Sequence, residues 1–368
     1  VEKIKKREYY LDYLKCLLTV VVIAHHTCQA YSGANAWVYH DQQQAPWLQN
    51  FLAVNMTFFM ALFFFISGYF LPAAADKRSA RNFVANKANH LLFPTLYLIV
   101  LIVPVYFYIA DWTMERTKLS FFTYYFSDYW GMGRFSYEHG WFIFNLFFYS
   151  LIYLLLRSIF TSINIEKVGA LNIRKIGIGT IGIVITTILI RLVSPIDHWI
   201  DLFGFIGMEP AHLPQYVIMF TAGIIAYRNH WLEQINNRLG YGAMGVGISM
   251  SLLIYLKDLL PKNMIDLLFS VFDLYESIMC VSISIGLIFI FRKYLNSEHR
   301  LLQRIANCAF GAYIWHNLFV ILAQTMLAEV RIPAMFKFVI ATIVATIGAF
   351  ATAFITKGVV RKLNRQAL

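Results

Sequence analysis

Continuous apolar stretches of about 20 residues, the span that a hydrocarbon core requires, recur along the whole chain. A backbone in hydrocarbon must satisfy its own hydrogen bonds, which leaves helices and closed barrels. The runs are unbroken rather than alternating, so they point to helices and away from a β-barrel. Of the 368 residues, 59% are hydrophobic and only 14% are charged, against about 25% charged in soluble domains. Such a chain cannot cover a water-facing surface. The reading is an all-α integral membrane protein, a polytopic bundle of about ten transmembrane helices. The expected spans are 10–32, 51–72, 91–110, 141–162, 176–193, 213–228, 240–257, 266–291, 305–328 and 336–357. They form a single transmembrane domain over 1–368, without a visible repeat or soluble domain.

Charge sets the expected orientation. With the N-terminus inside, most of the 31 lysines and arginines fall in loops on that side. Eight fall opposite: Arg116, Lys118, Arg134, Arg191, Lys257, Lys262, Arg331 and Lys337. By the positive-inside rule both termini are cytoplasmic and the number of spans is even. The net charge of +11 is then membrane topology rather than a nucleic-acid footprint. The apolar run after VEKIKKREYYLDYL exceeds a signal-peptide core and carries polar groups, so it is expected to persist as the first transmembrane helix. Cys16, Cys28, Cys280 and Cys308 form no CxxC pair and no cluster with histidine. They read as small membrane-buried side chains, with no metal site expected.

The first span carries the densest chemistry. In KCLLTVVVIAHH, Lys15 opens an apolar run that His25 and His26 close. Eleven residues make about three helical turns, so Lys15 and His26 share a face roughly 16 Å apart along the axis. Asp12 lies one turn before Lys15 on that face and pairs with it, while His25 points about 100° away. Ionisable groups at membrane depth are costly and usually face a cavity or a partner. Asp12, Lys15 and His26 on one stripe therefore suggest a polar path, and a neutral imidazole is suited to accept a proton there.

Asp12-Tyr-Leu-Lys15, ten residues and then His26 resemble the first-helix signature of the integral membrane acyltransferase family 3, where arginine is usual at the lysine position. FFFISGYFLP at Phe63–Pro72 resembles that family's second-helix segment. KANHLLFP at Lys87–Pro94 resembles its double-arginine approach to the third helix, with Lys87 and His90 in the arginine places. HGWFIFNL at His139–Leu146 and FGAYIWHN at Phe310–Asn317 resemble two later segments. REYYLDYLK and Ile66–Phe70 are similar to the periplasmic glucan succinyltransferase branch.

The resemblance implies acyl transfer from cytoplasmic acyl-coenzyme A, acetyl or succinyl, to a hydroxyl of an extracytoplasmic glycan or cell-envelope acceptor. It also implies the cytoplasmic membrane of a bacterium, with acyl-CoA as a donor substrate rather than a resident cofactor. Beyond membrane lipids, the expected partners are that donor and the acceptor. The phosphates of the donor need cations, and Lys15, Lys77, Arg78, Arg81, Lys87 and His90 are the candidates. A succinyl carboxylate would call for one more, for which Arg134 and Arg157 are available. His26 is the expected base, His25 the alternative. Direct transfer and relay through an acyl-histidine both remain open. Acceptor contacts are expected from His25, Trp37, Ser67, Tyr69, His139, Trp141, Tyr313 and His316. Ser67 with Gly68 also suits a small-residue helix contact, and His316 a buried hydrogen-bonded role. The loop Ser32–Asn50, aromatic and free of Lys and Arg, is the expected acceptor-facing segment. A secondary transporter or a polysaccharide export protein is the rival class, since buried Lys, His and Asp serve those too. Paired repeats with broken helices would mark a transporter, and none is visible.

Overall fold

The computed structural model describes residues 7–33, 37–159, 168–202 and 206–366. Each of the ten apolar segments contains a helix. They are α1 Tyr9–Gln29, α2 Pro46–Asp76, α3 Ala80–Thr113, α4 Gly140–Ile159 and α5 Ile173–Arg191. These are followed by α6 Leu213–Arg228, α7 Asn237–Tyr255, α8 Phe272–Tyr294, α9 Ala309–Met326 and α10 Ala334–Gln366. Among the described residues seven helices are long and apolar enough to cross a membrane, eight if α9 is joined to the short helix Arg300–Ala306 that meets it at 60°. The expected count of ten is thereby corrected. α6 has only 16 residues, and α7 is diluted by Gly240, Gly242, Gly245, Gly247, Ser249 and Ser251. The protein is an all-helical multi-pass membrane protein, apart, among the described residues, from one short antiparallel hairpin, β1 Ile200–Leu202 with β2 Ile206–Met208.

Two boundaries differ from the expected ones for local reasons. The cationic stretch after Asp76 was expected to be a loop. Instead Ser79 accepts a hydrogen bond from the Asn82 amide and starts α3 at Ala80, so Arg81 and Lys87 are helical. Further along α3, Pro104 has no N–H to offer the carbonyls one turn back. A π turn over Leu98–Ile102 lies just before it. The freed oxygens of Ile99 and Val100 accept instead from the Tyr129 and Tyr125 hydroxyls, at 2.8 and 3.3 Å. Those tyrosines belong to a short helix, Phe121–Tyr124, that runs on as a π turn to Gly131.

Glycines set the closest helix contact. A Cβ on Gly68 of α2 would lie 2.1 Å from the Phe220 carbonyl oxygen, and one on Gly223 of α6 would lie 2.1 Å from that of Phe65. The backbones of α2 and α6 therefore touch, which is the small-residue contact expected at Gly68. Side-chain bonds define the two ends of the bundle. Arg7 donates to Asn307, Lys357 of α10 donates to the Asn307 carbonyl, and Arg157 and Arg228 both pair with Asp76. Arg7 and Lys357 thus share one end, called the amino-terminal end below. The opposite end carries the Trp37 segment, Asp111, Arg134 and the hairpin.

Candidate active site

His26 lies near the opposite end of α1, under the segment that follows the helix. Its Nδ1 lies 3.0 Å from the Val22 carbonyl oxygen and 3.3 Å from His316 Nε2. A carbonyl oxygen only accepts, so His26 Nδ1 carries the proton. His316 Nδ1 lies 2.6 Å from the Tyr313 carbonyl oxygen and donates to it, which leaves His316 Nε2 as an acceptor for His26. His139 Nε2 likewise donates to the Ile314 carbonyl at 3.1 Å. The tautomers assigned this way leave His26 Nε2 with its lone pair and no hydrogen bond among the described residues. His139 and His316 are buried, whereas His26 is partly open.

The remaining walls are equally specified. The His139 ring lies 4.4 Å from that of His316, and the Trp37 indole 5.2 Å from His26. Trp37 Nε1 donates to Gln324 Oε1 at 2.9 Å, and Gln324 Nε2 donates to the Thr27 carbonyl at 3.1 Å. Tyr313 is held by its own bond to the His139 carbonyl, 2.7 Å, so it positions a backbone segment. Glu138, just before His139, has φ +44°, a conformation that strains a residue with a Cβ. Removal from bulk water raises its carboxyl pKa, against the hydrogen bond from Ser136 and the nearby Tyr106 hydroxyl.

His26, Trp37, His139, Tyr313 and His316 thus converge, from segments widely separated in sequence. Trp141 lies beside them against Phe64 and Tyr216. His25 faces away, its ring 5.0 Å from Phe59 and its Nδ1 unpartnered. Tyr69 sits elsewhere, donating to Glu8 at 2.7 Å at the amino-terminal end. Ser67 is half-buried on α2.

Asp12 bridges Lys15 at 2.9 Å and Arg7 at 2.9 Å, as helical spacing predicts for the first pair. Lys15 also lies over the Phe70 ring at 5.1 Å. Lys77, Arg78, Arg81 and His90 are exposed at the same end, and Lys87 is half-buried over Phe83. Arg157 is at this end too, on Asp76, whereas Arg134 is at the opposite end on Asp111.

The segment expected to face an acceptor is partly buried and partly open: Tyr39 and Asp41 are buried, with Asp41 paired to Lys337 at 2.9 Å, whereas Trp47 is exposed. Lys337 had been counted with the loops, and its side chain is instead 2% exposed. Sequence reasoning also missed Tyr106, Glu138, Asn317 and Gln324. Each is a polar group in or beside an apolar run, a signal present in the sequence but shared by many structural positions.

A family model described as an acyltransferase domain matches residues 8–356. The chain belongs to acyltransferase family 3. Comparison with curated proteins and with solved structures yields no match. Membership in acyltransferase family 3 makes the protein an enzyme with an acyl donor and an acceptor, and separates it from the transporter alternative. The matched span begins before α1 and ends within α10, so it contains the whole histidine cluster.

Proposed function

We propose that this acyltransferase carries an acyl group, acetyl or succinyl, from cytoplasmic acyl-CoA to a hydroxyl of an extracytoplasmic glycan or cell-envelope acceptor, in the manner of the periplasmic glucan succinyltransferase branch. The enzyme would lie in a bacterial cytoplasmic membrane with both termini inside. The observation that carries the reading is the free Nε2 of the partly open His26 beside His316, whose two ring nitrogens are both engaged. In the reaction, His26 Nε2 takes the proton of the acceptor hydroxyl while its oxygen attacks the thioester carbonyl. The C–O bond forms, the C–S bond breaks, and the imidazolium returns its proton to the departing thiolate. The Val22 carbonyl and His316 Nε2 together hold His26 in the tautomer this requires.

The donor would enter at the amino-terminal end. Lys15, Lys77, Arg78, Arg81, Lys87 and His90 offer charge and donors to its phosphates there, and Asp12 orients Lys15. A succinyl carboxylate would arrive with the acyl group at the His26 end, so Arg134, on Asp111 at that end, suits it better than Arg157 on Asp76. Roughly 16 Å of α1 separates Lys15 from His26, a length for a thin pantetheine arm to follow. Trp37, His139, Trp141 and Tyr313 would shape the acceptor side, and His316 would act behind them through His26.

Calorimetry of the detergent-purified protein with acetyl- and succinyl-CoA tests the donor reading. Wild type is expected to bind one of them, Lys15→Ala to bind it weakly, and His26→Ala to bind it while supporting no transfer in membranes. Folded protein that binds neither thioester would remove the donor reading. Transfer retained by His26→Ala would remove the base.

A further inference from the structure

Beside the histidine cluster, four buried polar atoms have no hydrogen-bond partner: Tyr106 OH, His139 Nδ1 and both amide atoms of Asn317. Tyr106 and Asn317 are fully buried and His139 is 3% exposed. They are neighbours. The Tyr106 hydroxyl lies within electrostatic reach of both Asn317 and Glu138. Asn317 follows His316, Glu138 precedes His139, and the His139 and His316 rings are 4.4 Å apart. α3, α9 and the turn before α4 therefore bring these unsatisfied polar groups into one neighbourhood. Buried polar groups are nearly always paired, and each exception calls for an explanation.

The donor and acceptor inventory narrows what belongs there. His139 Nε2 gives its proton to Ile314, so Nδ1 accepts. Asn317 Oδ1 accepts, and the Glu138 carboxylate accepts with the lone pairs that Ser136 leaves. Against these stand the Asn317 amide N–H groups and the Tyr106 hydroxyl, which can also accept. The set has a surplus of acceptors and no cation. A phosphate or carboxylate, which only accepts, would be repelled, and a thioester carbonyl would find few donors. A group of neighbouring hydroxyls, each able to donate and accept, fits. We infer that Tyr106, Glu138, His139 and Asn317 form the subsite for the hydroxyl groups of an uncharged polyol or sugar acceptor, presented beside His26. The inference rests on the acyl-transfer reading for its place in the reaction, but the pocket's chemistry stands apart from it. Glu138 is the specificity residue: it accepts a hydrogen bond from a hydroxyl, which an ether or methoxyl cannot donate.

The test is saturation-transfer NMR of methyl β-D-glucopyranoside with the purified protein, for wild type, Tyr106→Phe, Asn317→Leu and Glu138→Gln. Acetyl-CoA binding and the melting temperature are measured on the same samples. Wild type is expected to transfer saturation to the glucoside at millimolar concentrations but not to its permethylated analogue. The three variants should each lose at least fivefold of the signal while still binding acetyl-CoA. Tyr106→Phe removes one oxygen that makes no hydrogen bond of regular geometry and only approaches Asn317 and Glu138, so folding should survive it even if Asn317→Leu fails. No glucoside signal in wild type, an equal signal from the permethylated sugar, or an unchanged signal in Tyr106→Phe and Glu138→Gln would overturn the subsite. Glucoside binding without any acyl-CoA binding would leave the subsite and remove the acyl-transfer reading instead.

Discussion

At the scale of single residues, the disposition of protons in the cluster makes one position decisive. His316 is fully buried and touches the proposed reaction only through His26, so it is a positioning residue. Its Nε2 accepts the His26 Nδ1 proton and keeps the lone pair on Nε2. His316→Leu should lower kcat on the order of 10²-fold with little change in KM for the donor, because the binding cations are distant. His316→Gln presents an acceptor oxygen and should recover part of the loss. Equal damage in both variants, or a change in donor KM alone, would refute the role in steady-state assays. The Asp41–Lys337 pair belongs at the same scale. Both side chains are nearly inaccessible, 1% and 2% exposed. Removing one partner strands the other charge, so Lys337→Met should cost about 3–5 kcal/mol, whereas Asp41→Asn with Lys337→Met should recover most of it. Thermal unfolding in detergent reads both. Additive losses would mean that the two residues are not coupled.

At the scale of elements, the contact of α2 with α6 and the anchoring of the hairpin are the parts most open to challenge. Gly223→Ala would set a methyl 2.1 Å from the Phe65 oxygen and 2.8 Å from the Tyr69 nitrogen. Both are backbone atoms that cannot rotate away. Overpacking costs about 1–3 kcal/mol, and a drop in melting temperature is expected. Gly182→Ala, whose nearest new neighbour is Ile218 at 3.9 Å, should melt like wild type. A Gly223→Ala protein that melts like wild type would mean that the helices do not touch there. Just beyond the hairpin, His212 bridges Glu209 at 2.6 Å and Glu276 at 3.0 Å. Arg191 bonds Glu276 at 2.6 Å and also Asp273, and Tyr216 stacks on the imidazole. Burial alone would lower the His212 pKa, but the two carboxylates outweigh it and raise it to about 9. The protonated bridge therefore stabilises the fold fully below about 6.5, the unfolded value, and that contribution fades as pH rises through about 9. Melting temperature should fall across that window in wild type and much less in His212→Gln. Parallel curves would sink the bridge. The apolar windows located α1 to α10, because length and hydropathy are local properties, but not short helices such as Phe121–Tyr124. The start of α3 was misread because charge resembled a loop while the Ser79 cap dictated a helix. The Asp41–Lys337 and Arg191–Glu276 pairs were invisible because each joins segments that only the fold brings together.

At the scale of the whole molecule, charge and the histidine cluster give the bundle a direction. His26, His139 and His316 were each legible as chemistry-bearing residues in separate segments. Their convergence was not legible, nor was the part of Tyr106 and Asn317, since a lone polar group in an apolar helix has many structural uses. What the fold adds is polarity along the bundle axis. Arg7 and Lys357 meet at Asn307, and the exposed cations Lys77, Arg78 and Arg81 lie at that same end. The histidines sit nearer the other end, under the segment that Asp41 ties to Lys337. The proposed cytosolic, polyanionic donor and external acceptor would require the cationic end to face the cytosol, as the positive-inside rule also does. Two single cysteines decide the orientation. Lys293→Cys is placed at the end of α8 that shares the amino-terminal side, and Lys118→Cys lies in the exposed segment after α3. Of the native cysteines, Cys28, Cys280 and Cys308 are buried and Cys16 is half-buried, so background labelling should be low. In intact spheroplasts a membrane-impermeant maleimide should label Lys118→Cys at once and Lys293→Cys only after permeabilisation. The reverse pattern would put the cations outside, beyond the reach of cytosolic acyl-CoA. Donor and acceptor would then have to exchange sides around His26, and the proposed direction of transfer would fail while family membership stood.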